Sequence, residues 1–328
     1  MKLSSLILQR SLEAMDKKKN CIYSIKLTQH QAQKLKEYCL ARLWDTYEVA
    51  YADFAFKGNG INIVHYNSGK TVVQGKKTEE FVTFVLEPEI TLEFNFGQND
   101  DPDPLWFEEH AGLDESGKGD LFGPLVTACV IARTDGIKAL LAKGIKDSKK
   151  IHSENVILDL DAKINSQKGV TCKKMTLSMK KYNELYTSFG SNINRLLAWM
   201  HSRSLLDALQ IQPVGRGLLD QFSKAPLVQR YLGHMDDFRL DMETKAERDP
   251  VVAAASIVAR AEYVRQMREL SKLAGEKLQK GAGAKTIEQA KILVKKFGDE
   301  RLGEFAKLHF GTAYIARGLV PPGDEFIT

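Results

Sequence analysis

Residues Asp114 to Asp120 read Asp-Glu-Ser-Gly-Lys-Gly-Asp, which sets two adjacent carboxylates against a glycine-lysine-glycine turn. Paired acids attract a hard divalent cation, and a turn with little side-chain bulk lets a sugar-phosphate chain approach its backbone. The segment therefore points to metal-dependent nucleic-acid chemistry. Consecutive side chains on a regular strand leave opposite faces, so Asp114 and Glu115 share one site only where the strand ends or bends. Ser116-Gly117-Lys118-Gly119 is the expected bend. Taken alone, an Asp-Glu pair is more often an exposed acidic turn.

Other residues add to the pair. Asp220 emerges from the apolar run Gly217-Leu218-Leu219; an unpaired carboxylate is costly to bury, so such an Asp finds a metal, a cation or the end of a strand, or else begins a turn or helix cap. Glu247 precedes Asp249-Pro250, a good N-cap followed by a good first helical residue. It is therefore expected just before a helix N-terminus, where the dipole favours ionised carboxylates. The alternative is a solvated Glu paired with Lys245 or Arg248. Asp147-Ser148-Lys149-Lys150 offers a hydroxyl and two cations suited to phosphate contacts, although taken alone such a run is more often a solvated loop. Glu108, Glu109 and Asp120 are further acids close to the first motif.

Composition narrows the chemistry. Cys21, Cys39, Cys129 and Cys172 are scattered, with no CxxC pair and no zinc-finger spacing, and the seven His are equally dispersed and read as structural or surface residues. A bound metal must then be held by carboxylates, which selects Mg²⁺ or Mn²⁺. Gly112 to Lys118 satisfies the start of a phosphate-binding GxxxxGK loop, but Gly119 replaces the required Ser or Thr and two acids would stand in the phosphate cradle, so a nucleoside-triphosphatase reading fails. No apolar run reaches the roughly 20 residues that span a bilayer, which predicts a cytoplasmic protein with no membrane partner. The net charge of +5 permits a polyanion, and no Lys or Arg falls between Thr78 and Gly117, leaving two basic lobes joined by an acidic strap.

These groups need elements to position them. At 328 residues the chain is long enough for two domains, and Gln98-Asn99-Asp100-Asp101-Pro102-Asp103-Pro104 is the natural linker. Upstream, Ile22 to Leu27 predicts a strand. Thr28 is an N-cap for a helix with Ala32, Leu35, Cys39 and Leu43 on one face, and Ile61 to Tyr66 with Thr71 to Gln74 form a hairpin. Downstream, Leu125 to Arg133 predicts a strand, and helical periodicity recurs over 194–209, 251–273 and 287–297. Strands interspersed with helices indicate an α/β core with a largely buried sheet.

DESGKGDLFGPLV from Asp114, DSKK from Asp147, LLDQF around Asp220 and KAERDPVVAAASIVARA from Lys245 resemble, in order, the motifs of type 2 ribonucleases H. The Glu of the KAE segment, the N-terminal extension and SGKTVVQG from Ser68 are similar to bacterial ribonuclease HIII. The resemblance implies an α/β fold in which a ribonuclease H-like mixed sheet is flanked by helices, preceded by a small α+β TATA-binding-protein-like domain. The divisions are 1–95 for that substrate-binding domain, 96–107 for the linker and 108–328 for the catalytic domain. It further implies a monomeric endonuclease that cleaves the RNA strand of RNA/DNA hybrids, leaving 5′-phosphate and 3′-hydroxyl ends. Asp114, Glu115, Asp220 and Glu247 match the catalytic and metal-binding acids, which would hold two Mg²⁺ or Mn²⁺ ions roughly 3.5 to 4 Å apart. Asp114, ending the central strand, would bridge them. Gly117, Lys118 and Gly119, with Ser148 and Lys149, match the residues that hold the strand being cut, and RNA would be chosen through its 2′-hydroxyl. Lys118 stands where many relatives carry Arg, a point charge in place of a planar fork. Two other readings stay open: incision at a single ribonucleotide in duplex DNA, as in ribonuclease HII, and a non-catalytic hybrid-binding protein, against which the presence of all four acids argues.

Overall fold

The computed structural model describes residues 21–92, 104–145, 151, 153–233 and 235–321. These residues fall into two compact units, one up to residue 92 and one from residue 104, with short stretches near 142 and 151 grouping with the first.

In the first unit β1 (Cys21–Lys26), α1 (Gln29–Ala41), β2 (Asp45–Thr46), β3 (Ala52–Gly58), β4 (Ile61–Tyr66) and β5 (Lys70–Gly75) lead to α2 (Thr78–Phe81), which runs on as a π-helical segment (Val82–Thr91). The strands form one antiparallel sheet in the order β1-β5-β4-β3-β2. Thr28 caps α1 as expected: its Oγ1 accepts from the Gln31 amide at 3.3 Å while the Gln31 side chain accepts from the Thr28 amide at 2.9 Å. Alternation sends Phe54, Phe56, Ile61, Ile63 and Val73 to the side covered by Leu35 and Cys39 of α1 and by Phe81, Val85 and Leu86. Leu43 departs from expectation. The helix stops at Ala41, Leu43 takes a left-handed φ of 54° and is exposed, and Trp44 turns back onto the core instead.

The second unit runs β6 (His110–Ser116), β7 (Val126–Ala132), α3 (Thr134–Ala142), α4 (Glu154–Asn165), β8 (Val170–Thr176), α5 (Met179–Ser188), α6 (Ile193–Leu209), β9 (Arg216–Asp220), α7 (Leu227–Leu232), β10 (Arg239–Glu243), a 3₁₀ turn (Ala246–Arg248), α8 (Pro250–Ala274), α9 (Ala284–Phe297) and α10 (Gly311–Ala316). Its sheet has the order β10-β9-β6-β7-β8 and is mixed. β6, β7 and β8 are antiparallel neighbours, whereas β6, β9 and β10 run parallel. Of the expected linker, residues 96–103 lie outside the described residues, and Pro104–Phe107 form a 3₁₀ turn.

Two helices sandwich the central strand. Ala111 and Leu113 of β6 face Ala198, Leu205 and Ala208 of α6, while Gly112 faces the first turn of α8, where an added Cβ would lie 2.4 Å from Val251 C and Val252 N. The start of α8 is fixed by Asp249, whose Oδ1 accepts from the amides of Val251 at 2.8 Å and Val252 at 3.1 Å, with Pro250 in the first helical position as the sequence implied. Both oxygens of the same carboxylate lie 3.0 Å from Nε2 of His110, the first residue of β6, and His110 Nδ1 is 2.6 Å from the Glu108 carbonyl.

The atoms that meet a Cβ at Gly112 are backbone and cannot rotate away. Gly112→Ala is therefore expected to cost about 1–3 kcal/mol, read as a lower urea midpoint; an unchanged midpoint would mean that α8 yields without penalty.

Candidate active site

The parallel ladder between β6 and β9 ends at the pair Leu113 and Leu219, so Asp114 and Asp220 follow at matching positions on adjacent strands. They share parity with Gly112 and Leu218, which face α8 and its approach. Ser256 of α8 hydrogen-bonds the Asp114 side chain, whose Oδ1 also accepts from the Glu115 amide at 2.7 Å. Asp220 Oδ1 accepts from the Ala246 amide at 3.1 Å, which draws the turn carrying Glu247 to the end of β9, where Glu247 is 8% exposed. Glu247 is thus buried just before a helix N-terminus rather than solvated. On the far side of Asp220, Glu243 of β10 pairs in register and extends the row of acids.

Glu115 points the other way. β6 does not end at Asp114: its pairing with β7 continues to Ser116, and the bend comes only at Gly117. Consequently Glu115 follows Leu113 toward α6, where its Oε2 lies 3.2 Å from Nε2 of the buried His201 and its Oε1 lies 4.0 Å from Lys118 Nζ. An ionised carboxylate only accepts, so Nε2 carries the proton in this contact. The His201 ring stacks on Phe222 with centroids 5.5 Å apart, and Lys118 Nζ lies 5.2 Å from the Phe222 centroid. Glu115, His201, Phe222 and Lys118 form a closed circuit of contacts.

Burial is the largest cause that pushes the Asp114 carboxyl up from 3.8 to about 7; the neighbouring Glu115 and Asp220 charges push the same way, and the Ser256 and Glu115 hydrogen bonds offset them only in part. Carboxylates gathered at the ends of two adjacent strands offer hard oxygen donors, which suit Mg²⁺ or Mn²⁺ in their chemistry. Among the described residues, no three His, Cys, Asp or Glu side chains are gathered as a metal-binding group. Asp114, Glu115 and Asp220 are instead turned onto the protein's own donors.

The glycine-lysine-glycine turn divides in two. Gly117 has φ +86° and a Cβ there would lie 2.2 Å from the Pro124 carbonyl oxygen, so the fold itself demands glycine. Gly119 is exposed, and a Cβ there would meet nothing within 4 Å. Among the described residues the amides of Lys118 and Gly119 have no protein acceptor. Ser148 and Lys149 lie outside the described residues.

Sequence reasoning had set the histidines aside, and two of them serve the site: His110 through Asp249 and His201 through Glu115. The partners of His201 and Glu115 are 86 residues apart, which no local pattern reveals. One sign was available. His201 stands four residues from both Leu197 and Leu205 on a helix, a polar group on an apolar stripe that must find a partner.

A family model described as Ribonuclease HII matches residues 111–313, and one described as a domain of unknown function (DUF3378) matches residues 23–95. The Ribonuclease HIII of Chlamydia muridarum is 42% identical over 270 residues, 81% of this chain and 87% of that protein. The Ribonuclease HIII of Protochlamydia amoebophila is 37% identical over 83% of this chain and 88% of its own length. The crystal structure of Bst-RNase HIII in complex with Mn²⁺ superposes with a TM-score of 0.59 at 30% identity, covering 91% of this chain and 98% of that one. Aquifex aeolicus RNase H3 gives 0.53 at 25% identity over 88% and 100%. With the mixed sheet and its row of acids, a relationship that spans both units of the fold places this chain in the ribonuclease HIII family.

Proposed function

We propose that this chain hydrolyses the RNA strand of RNA/DNA hybrids, leaving 5′-phosphate and 3′-hydroxyl ends, with Asp114, Glu115, Asp220 and Glu247 as its metal-binding acids. The observation that carries the reading is the matched pair Asp114 and Asp220 at the ends of adjacent strands, with Asp114 held at about 7 by burial first and by the Glu115 and Asp220 charges after it, beside a turn whose outer glycine has open space. Two Mg²⁺ or Mn²⁺ ions held by the four acids would activate water and stabilise the departing oxygen. Asp114, Asp220 and Glu247 supply that charge from the α8 side. Glu115 supplies it from the α6 side and turns from His201 and Lys118 when it does so. The free amides of Lys118 and Gly119 donate to the sugar-phosphate chain, and Gly119 leaves room for the 2′-hydroxyl that distinguishes RNA. Ser148 and Lys149 complete the grip on the same strand.

In the same reading residues 1–95 form a TATA-binding-protein-like domain that holds substrate, 96–107 the linker and 108–328 the catalytic domain. The sheet face opposite α1 carries Lys26 and Lys70 directly across from one another. Two like charges in a cross-strand pair repel, and a polyanion relieves them. A monomer in the cytoplasm fits the free thiols of Cys39, Cys129 and Cys172. Among the described residues no helix is long and apolar enough to cross a membrane.

Cleavage of an end-labelled continuous hybrid beside a DNA duplex bearing one ribonucleotide, in Mg²⁺ and in Mn²⁺, tests the assignment. Cutting of the continuous hybrid alone is expected; efficient cutting at the lone ribonucleotide would move the activity to that of ribonuclease HII, and binding without cutting would remove the acids from chemistry.

Asp114→Asn is expected to bring turnover to background while hybrid binding persists. The same change bears on stability in EDTA. Because the folded carboxyl titrates at about 7 against 3.8 ordinarily, the folded state holds its proton more tightly, and ionisation penalises the fold as pH rises through that window. The stability of Asp114→Asn relative to wild type should therefore climb from about pH 4 to 7 and then level off, as read from urea unfolding; a flat difference would contradict the buried, crowded state of Asp114.

Lys26→Ala and Lys70→Ala should each raise the KM for hybrid with little change in kcat, and lower the slope of log affinity against log salt by about 1. Unaltered salt slopes would separate this face from the substrate.

A further inference from the structure

Lys307 has no solvent exposure, yet it is a cation that the acidic row does not use. Burying an ammonium is unfavourable unless hydrogen bonds and charges compensate it, and an aliphatic side chain would fill the same space without that penalty. Burial pushes its amine down to about 7, and the Asp120 carboxylate opposes that shift. Its contacts are concentrated on one segment. Nζ donates to the Asp120 carbonyl at 2.8 Å and to the Gly123 carbonyl, and the Lys307 amide donates to the Leu121 carbonyl at 2.9 Å. The remaining carbonyl of the segment, that of Phe122, accepts from the Tyr263 hydroxyl of α8 at 3.1 Å. Four consecutive carbonyls, 120 to 123, are thus turned inward onto two side chains and one amide.

The other half of each clamp comes from the amides. Leu121 donates to the Gly281 carbonyl at 2.9 Å and Gly123 to the Phe305 carbonyl at 3.1 Å, while the Gly281 amide donates to Asp120 Oδ1 at 2.5 Å. The segment that follows Gly117-Lys118-Gly119 is therefore held by peptide groups from residues 281 and 305–307. The turn above it is not: the Lys118 and Gly119 amides face no protein acceptor among the described residues. A turn that must present free amides to a ligand needs a base that does not move, because misplacing donors by 1 Å is enough to lose their contribution.

We infer that Lys307 is a positioning residue for substrate binding: from beneath, it fixes the base of the turn that grips the RNA strand. The inference rests on the proposed grip by Gly117, Lys118 and Gly119.

Steady-state kinetics of the full chain on a continuous RNA/DNA hybrid, with urea unfolding alongside, separate the possibilities. Lys307→Met removes both carbonyl contacts without adding bulk and should raise KM about tenfold, with kcat at saturation within twofold of wild type. Lys307→Arg keeps a buried cation with different reach and should fall between the two. A general loss of folded protein would lower kcat and leave KM in place, and that result would overturn the inference, as would an unchanged KM in Lys307→Met. If Lys307→Met does not fold, the arginine variant decides alone: wild-type KM there would overturn it. Gly119→Ala, which meets nothing in the fold, serves as the control for the turn itself. A raised KM in Gly119→Ala with none in Lys307→Met removes Lys307 only, whereas an unchanged KM in Gly119→Ala removes the grip on which the inference stands.

Discussion

The Asp249 carboxylate joins the two elements on which the site stands. It is 1% exposed and accepts from the first amides of α8, so it satisfies donors that every helix start leaves open. It also meets His110, which opens β6. One carboxylate therefore sets where the central strand begins relative to where the helix begins. The contact of Gly112 with Val251 and Val252 then follows, and one pleat further along Asp114 reaches Ser256. Upstream, the Asp249 amide closes the Glu247 turn on the Ala246 carbonyl at 2.9 Å. Acids 133 positions apart in the chain are placed by the same anchor.

Fixing these acids sets them in conflict. The fold has rigid backbone on both sides of Asp114 and Asp220, and their charges cannot separate without breaking the ladder that places them. The protein answers with its own donors: Ser256 and the Glu115 amide for Asp114, the Ala246 amide for Asp220, and His201 and Lys118 for Glu115. Burial first and the neighbouring charges after it outweigh the two donors at Asp114 and leave its carboxyl near 7. The site is thus an instance of local stability given up where chemistry requires it.

Much of this was legible in the residues. The caps at Thr28 and Asp249, the hairpin over 61–75 and the strand through Val126–Ala132 are local events, governed by side chains within a few positions of one another, and they form as read. The acids on β6, on β9 and before α8 were legible as acids. Their division between two faces was not, because it depends on where β6 stops pairing with β7, and that is decided by the partner strand through Ser116 and Val126. Leu43 failed for a similar reason: helical periodicity continues in the sequence after the backbone has turned left-handed. His110 and Lys307 left no local sign, since each meets a group more than 130 positions away, and His201 showed only as a polar group on an apolar stripe whose partner lies 86 positions off.

What the fold leaves unsatisfied has a common complement. Asp114 and Asp220 follow one another's register as like charges on adjacent strands, Lys26 and Lys70 do the same, and among the described residues the amides of Lys118 and Gly119 find no protein acceptor. Two of these features could be changed without disturbing the fold: Lys70, which is exposed, could be neutral, and Gly119 could carry any side chain, since its Cβ would meet nothing. Neither Lys70 nor Gly119 is constrained by packing in the way that Gly112 or Gly117 is. Their residue types must therefore answer to something outside the fold, and a phosphodiester chain with its associated divalent cations supplies the missing charges and the missing acceptors together.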